Sequence, residues 1–324
     1  MKRALVTGGH GFVASHLARA LLERGDTVTV LDLPRRRASG LELQRIAADV
    51  ELVEADMRET KLVGATVETG EFDVVFHLAA QTLVGPAMDD PTATFEANVR
   101  GTWTLLEACR RAEVPAVVVA SSDKAYGPSE ELPYREEMPL RPASPYEASK
   151  AAADAIALSY RPAYGLPVAV SRFANIYGGG DLNFSRLVPE ALAAVLQGRR
   201  PRIRSDGSPE RDLLYVDDAV AAYLAIEHAV GAGGPAAGEA FNAGGERPYS
   251  VAEVLETIAE VSGDGLDPEY LGTGNPNGEI DRQFVDSSKL RELTGWRPEV
   301  DLAEGLKRSL EWYRAHPETL PGLP

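Results

Sequence analysis

The chain has 324 residues, 44% of them hydrophobic and 25% charged, enough for a sizeable core and longer than one average domain. Its formal net charge of −16 argues against a surface built for nucleic acid or anionic membrane, although local arginines can still hold an anionic small molecule. The single cysteine, Cys109, excludes an intrachain disulfide and is expected to be a small buried residue.

No apolar run approaches the ~20 residues of a membrane-spanning helix. Met1-Lys2-Arg3 leads straight into a strand pattern without a signal peptide, so the expectation is a soluble cytoplasmic protein. Ala4-Leu5-Val6 predicts that first strand, followed by Thr7-Gly8-Gly9-His10-Gly11-Phe12-Val13-Ala14 and a helical pattern through Leu17, Leu21 and Leu22. Thr27 to Leu31 is β-branched almost throughout and ends at Asp32. Strand, Gly-rich turn, helix, strand and terminal acid together make a dinucleotide-binding unit. Gly8 permits the tight turn. Gly11 lets the backbone approach a pyrophosphate resting on the helix N-terminus, where Phe12 and Val13 lie. Asp32 can accept both ribose hydroxyls, which favours NAD over NADP. Arg35, Arg36 and Arg37 could host a 2′-phosphate, but a solvated charge run is the plainer account.

Val50 to Val53 reads as a strand leading to Asp56-Met57, placed to meet the adenine. Val74 to His77 is another strand, running into Leu78, Ala79, Ala80 and Gln81, small enough at the two alanines for a cofactor to lie against the backbone. His77 reads as a satisfied structural histidine. Residues 92–111 predict one long helix; Asn98 within it suits a structural hydrogen bond and also stands as a candidate on the cofactor side.

Val117-Val118-Val119-Ala120 predicts a buried strand whose carboxyl end delivers Ser121-Ser122-Asp123-Lys124. After a Pro-rich loop, Ser144-Pro145-Tyr146-Glu147-Ala148-Ser149-Lys150 opens an Ala-rich helix expected to reach about Tyr160. Tyr146 and Lys150 share a helix face one turn apart. The ammonium is expected to favour the phenolate and lower the Tyr146 pKa. A general base (Tyr146), its activator (Lys150), a hydroxyl (Ser122) and an acid–amine pair (Asp123, Lys124) suit alcohol-to-ketone redox chemistry.

Beyond the strand at Val168 to Val170 come Arg172-Phe173-Ala174-Asn175-Ile176-Tyr177 and the Gly178–Asp181 cluster. Residues 186–197 read as a helix, Pro201 to Ile203 as a short strand, and Arg211 to Asp218 leads a helix expected from Ala219. Asn242-Ala243-Gly244-Gly245 and Arg282 precede the terminal helices. No repeat and no metal-ligand set is read.

These motifs, in this order, resemble the extended short-chain dehydrogenase/reductase family, in its nucleotide-sugar epimerase/dehydratase branch, over nearly the whole chain. The resemblance implies an α/β fold with a Rossmann-type doubly wound parallel sheet in residues 1–173, rejoined by about 211–230, and a smaller α/β nucleotide-sugar domain in 174–324. It implies Tyr146 as catalytic base, Lys150 also on the nicotinamide ribose, and Ser122 on the reacting sugar hydroxyl. It places Asn175, Arg211 and Arg282 on the substrate diphosphate, with Gln81 and Arg186 as further substrate contacts. Arg suits phosphate geometry, while Arg282 taken alone could be an ordinary surface charge. The family also implies a homodimer built on a four-helix bundle, here from about 92–111 and 147–163.

By the same resemblance, the branch first oxidises a sugar carbon. Simple 4-epimerases carry small apolar residues after the serine, whereas this chain has Asp123-Lys124. A 4-keto group acidifies the C5 hydrogen, so Lys124 as base and Asp123 as acid could expel the C6 hydroxyl as water. The Ser-Asp-Lys run is similar to the Thr-Asp-Lys of CDP-glucose 4,6-dehydratases. A 4-epimerase acting through the same ketose is the alternative, with Asp123 and Lys124 as a structural ion pair. A decarboxylase, a reductase or a non-catalytic NAD-sensing protein are more distant readings. Neither the nucleotide base nor the sugar is fixed by these residues.

Overall fold

Short β-branched runs without a polar face bury on both sides and therefore pair in parallel sheets covered by helices. The computed structural model describes residues 1–34, 39–263, 265–273 and 280–322. Its first six strands are β1 (Arg3–Thr7), β2 (Thr27–Asp32), β3 (Glu51–Glu54), β4 (Val74–His77), β5 (Val117–Ala120) and β6 (Val168–Phe173). Next come β7 (Asn175–Tyr177), β8 (Arg202–Ile203), β9 (Glu210–Tyr215), β10 (Ala240–Ala243), β11 (Pro248–Ser250), β12 (Glu269–Tyr270) and β13 (Arg282–Gln283). The main sheet has seven strands in the order β10-β6-β5-β4-β1-β2-β3, all parallel. The strand order reverses between β1 and β4, the place where such sheets bind ligands.

The helices of the first half are α1 (Phe12–Glu23), α2 (Gly40–Leu43), α3 (Thr60–Gly70), α4 (Val84–Asp89), α5 (Pro91–Phe95), α6 (Gly101–Arg111) and α7 (Pro145–Tyr164). Those of the second half are α8 (Leu187–Leu196), α9 (Val216–Val230), α10 (Val251–Ser262), α11 (Ser288–Thr294) and α12 (Leu302–Ala315). Leu17 and Leu21 of α1 and Val220 and Ile226 of α9 pack on one sheet face. Val63 and Val67 of α3 and Leu105 and Leu106 of α6 pack on the other. A separate core joins α8, α10 and α12 through Leu192, Val254, Leu306 and Tyr313. Among the described residues no helix is long and apolar enough to cross a membrane.

Three expectations change. The helix read over 92–111 contains a π turn at Glu96–Arg100 between α5 and α6, a local widening that periodicity alone does not reveal. The helix expected from Ala219 begins at Val216, because Asp217 and Asp218 fit a first helical turn, where carboxylates meet unpaired N–H groups. The division near Phe173 is crossed by β10, which lies beside β6 with Ala240 opposite Val170, and by Leu290 and Trp296, which join the sheet's own core.

Candidate active site

The Gly-rich turn sits where β1 meets α1. Gly8 has φ +78°, and a Cβ there would stand 2.8 Å from the Ala79 backbone, so only glycine lets this turn lie against the end of β4. Gly11 precedes α1, whose N-terminus has no side-chain cap and leaves its first N–H groups, including those of Phe12 and Val13, for an anion. At the end of β2, Asp32 Oδ2 accepts the His10 amide at 2.8 Å and Oδ1 accepts that of Leu33 at 2.7 Å, so its carboxylate is fixed beside the turn. Arg35, Arg36 and Arg37, the alternative hosts for a 2′-phosphate, lie outside the described residues. An uncapped helix end, a turn that excludes side chains and a fixed terminal acid together fit a dinucleotide.

Other residues expected on the cofactor side have contacts within the protein. Asp56 is clamped by Arg58 through bonds at 2.6–3.0 Å, and the guanidinium holds its carboxyl below the usual range. Met57 is 8% exposed and its side chain belongs to the core beneath α6. Asn98, in the π turn, accepts the Gln81 amide at 2.7 Å and donates to the Gln81 carbonyl and to Ser149 Oγ, both at 2.9 Å. It thus ties the loop carrying Leu78, Ala79 and Ala80 to α7. The Gln81 side-chain amide, expected on the substrate, donates to the Leu83 carbonyl and Thr94 Oγ1, so it ties its own loop to α5. His77 bridges Thr7 and Thr102 at 2.8 and 3.0 Å, the structural role expected of it, and burial lowers its pKa to about 3.

The groups expected to react lie around the end of β5 and the start of α7. Ser144 Oγ accepts the Glu147 amide and Pro145 occupies the first turn, which starts α7 just before Tyr146. Lys150 Nζ reaches back to the Ala120 carbonyl at 2.9 Å, locking the helix to β5. Tyr146 and Lys150 are 7% and 6% exposed. Burial drives their pKa values in opposite directions, Tyr146 up to about 12 and Lys150 down to about 8. The expected lowering of Tyr146 by the Lys150 ammonium does not appear: desolvation dominates, opposed by the Ser122 hydroxyl and the Arg186 charge and aided by Asp123 and Glu147.

Ser122 caps a single 3₁₀ turn, Asp123–Tyr126. Its hydroxyl donates to Asp123 Oδ1 at 3.1 Å and accepts the Lys124 amide at 3.2 Å. Asp123 is 1% exposed; its Oδ2 has no hydrogen-bond partner, and burial raises its pKa against the pull of Lys124, Ser122 and Arg211. Lys124 Nζ donates to Gln283 Oε1 of β13 at 3.2 Å. Gln283 was not legible as a site residue, since it arrives from 159 positions away on a two-residue strand. Asp212 on β9 is a second buried carboxyl, accepting the amides of Gly245 at 2.6 Å and Val285 at 3.2 Å. Burial pushes it up to about 8, and Asp123 adds to the rise.

The residues expected on the substrate, Asn175, Arg211 and Arg282 at its diphosphate and Arg186 as a further contact, have partners within the protein. Arg186 pairs with Asp181 at 2.9 Å and is felt by Tyr146. The Arg211 guanidinium donates to the Glu210 and Asp281 carbonyls at 2.9 and 3.2 Å. Asn175 donates to the Asp212 carbonyl at 3.3 Å. Arg282 is more exposed and pairs with Glu210 at 2.8 Å.

Comparison with known proteins accounts for this arrangement. The family model described as the NAD dependent epimerase/dehydratase family matches residues 4–244. A UDP-glucose 4-epimerase of Mycolicibacterium smegmatis is 38% identical, covering 96% of this chain and 98% of that protein. A dTDP-glucose 4,6-dehydratase of the same organism is 33% identical over 97% of this chain and 94% of its own. The crystal structure of dTDP-glucose 4,6-dehydratase from Bacillus anthracis in complex with NAD superposes with a TM-score of 0.87 at 28% identity, covering 98% of each chain. The chain is an enzyme of the NAD-dependent epimerase/dehydratase family.

Proposed function

We propose that this enzyme is a nucleotide-diphosphate-sugar 4,6-dehydratase using NAD. The observation that carries the reading is Asp123: a buried carboxyl with an unpaired oxygen, held toward its protonated form next to Lys124 and Ser122. A structural ion pair would favour the carboxylate; this environment favours an acid. NAD, when bound, accepts a hydride from C4 of the sugar and later returns it to C6. Tyr146 acts in its phenolate form, which the positive charge of bound NAD would favour, and takes the proton of the C4 hydroxyl; Ser122 orients that hydroxyl, and Lys150 holds the cofactor's ribose. With C4 a ketone, neutral Lys124 removes the C5 proton while Asp123 protonates the C6 hydroxyl, which leaves as water. Lys124, whose N–H protons exchange with solvent, then gives a proton to C5, and the proton on Tyr146 replaces the one Asp123 gave up.

Asp32 favours NAD over NADP, because a 2′-phosphate beside its carboxylate would be repelled. Gly8, Gly11, Phe12, Val13, Leu78, Ala79 and Ala80 line the cofactor in this reading, and Asp56 and Met57 border the adenine. Asn175, Arg186, Arg211 and Arg282 supply the donors for the diphosphate, from the part of the chain after residue 173. Ser-Asp-Lys favours CDP-glucose as the sugar nucleotide, whereas the relatives described above act on dTDP-glucose and UDP-glucose. The functional unit is a homodimer joined through the helices of 92–111 and 147–163, supported by the exposure of Met88, Phe95, Trp103 and Tyr164. A 4-epimerase is the second reading, favoured by the 38% identity to a UDP-glucose 4-epimerase.

The test is incubation with CDP-, UDP- and dTDP-glucose and GDP-mannose in deuterated water, with products read by mass and proton NMR. A product lighter by one water, with deuterium at C5, is expected from one of them. An isomer of unchanged mass without deuterium would replace the dehydratase by the epimerase.

A further inference from the structure

We propose that Gln283 is a positioning residue for Lys124, fixing the direction of its amine toward C5 of the substrate; this rests on the dehydratase reading above. Lys124 ends in a flexible four-carbon stem, and its turn is two residues removed from the strand that anchors it. A base on such a stem delivers its lone pair reliably only if a neighbour holds one N–H. Gln283 is fully buried, stands opposite Arg211 in the β13–β9 register, and accepts from Lys124 Nζ at 3.2 Å. A neutral amine has two N–H donors and one lone pair, so giving one N–H to Gln283 restricts where the lone pair points.

The amide also suits this task better than a carboxylate. A neutral acceptor orients the amine without the negative charge that would keep it as an ammonium. The remaining polarity points the same way. Gln283 Nε2 is buried and unpartnered, as is Asp123 Oδ2 on the residue next to Lys124. A glutamine kept only for structure is expected to satisfy both ends of its amide. Here the acceptor goes to Lys124, and an unused donor and an unused acceptor remain at the groups flanking it, the complement of one hydroxyl. Among the described residues, Arg211 and Asp212 on β9 are charged groups that interact with Asp123 beside this turn.

The experiment compares Gln283→Leu and Gln283→Glu with the wild-type enzyme. Gln283→Leu is expected to slow C5 exchange and water loss about a hundred-fold, the cost of a misplaced reacting group, with KM little changed. Gln283→Glu keeps the acceptor and adds an anion, so the Lys124 amine, followed by ¹⁵N NMR without substrate, titrates at higher pH. The alkaline-rising limb of the rate moves up with it. Exchange at the wild-type rate in Gln283→Leu, or an unmoved Lys124 titration in Gln283→Glu, overturns the proposal. If Gln283→Leu does not fold, the titration in Gln283→Glu decides alone. A wild-type enzyme that epimerises without C5 exchange overturns the dehydratase reading and this inference with it; wild-type exchange unaffected by Gln283→Leu overturns this inference only.

Discussion

The roles proposed for Asp123 and Tyr146 can be separated because they concern different protons. Asparagine at 123 keeps the volume and the acceptor for Ser122 Oγ but has no proton to give a leaving hydroxyl. Asp123→Asn is expected to slow water loss by about a hundred- to ten-thousand-fold, the range of general acid catalysis, while Lys124 still exchanges the C5 hydrogen with solvent. Deuterium entering C5 of unconverted substrate is the signature; loss of exchange together with water loss would mean that Asp123 serves the earlier step. Tyr146→Phe should instead abolish exchange and product together while leaving NAD binding intact, as calorimetry would register. These residues were legible because sequence proximity places them: Ser122, Asp123 and Lys124 are consecutive, and Tyr146 and Lys150 are one helical turn apart. The direction of the Tyr146 shift was not legible, since desolvation depends on everything packed around the phenol. Gln283 left no mark in the sequence, because its meaning comes from the tertiary pairing of β13 with β9.

Elements are joined behind the site by two buried polar clasps, and each carries a stability consequence. Arg172 of β6 meets Asp154 of α7 through bonds at 2.7 and 2.9 Å, with both side chains nearly solvent-free. Its guanidinium also donates to Tyr126 Oη and the Glu136 carbonyl. Asp154→Ala leaves that guanidinium buried without its anion, and unfolding in urea should register a loss of about 3–5 kcal/mol; a change below about 1 kcal/mol would mean that the arginine finds water or another partner. Asp212 clasps β9 to the segments after β10 and β13. Its pKa rises from an ordinary 3.8 to about 8 in the fold, so the folded state holds the proton more tightly. Its contribution is fully present below the lower value and is lost as pH climbs through the window to about 8. The urea midpoint should therefore carry a component that falls from pH 4 to pH 8, and Asp212→Asn should remove it. The seven-stranded sheet itself was largely readable from its apolar runs. The strand at Ala240–Ala243 was not, because four residues ending in Asn-Ala carry no period and take their strand character from the exposed edge of β6.

At the scale of the whole molecule, the net charge of −16 makes two copies of this chain repel, so any self-association must come from an apolar, locally neutral surface. The helices around α6 offer one. Phe95 and Trp103 remain 40% and 45% exposed and lie two turns apart once the wider π turn between them is counted. Met88 on α4 and Tyr164 at the end of α7 are 58% and 61% exposed. The charges between them are already paired along the helix, Glu96 with Arg100 and Glu107 with Arg110 and Arg111, so covering this face strands few unpaired ions. A stable pair needs roughly 800 Å² from each partner, a patch in which one buried carboxylate would have no counter-charge. Trp103→Glu is therefore expected to convert a dimer of 34.7 kDa chains into monomers in sedimentation, with the fold intact by circular dichroism. Because long-range repulsion opposes the pairing, raising the salt concentration should tighten the proposed dimer. A wild-type protein that sediments as a monomer at any salt, or a Trp103→Glu protein that stays dimeric, would move the interface away from these helices.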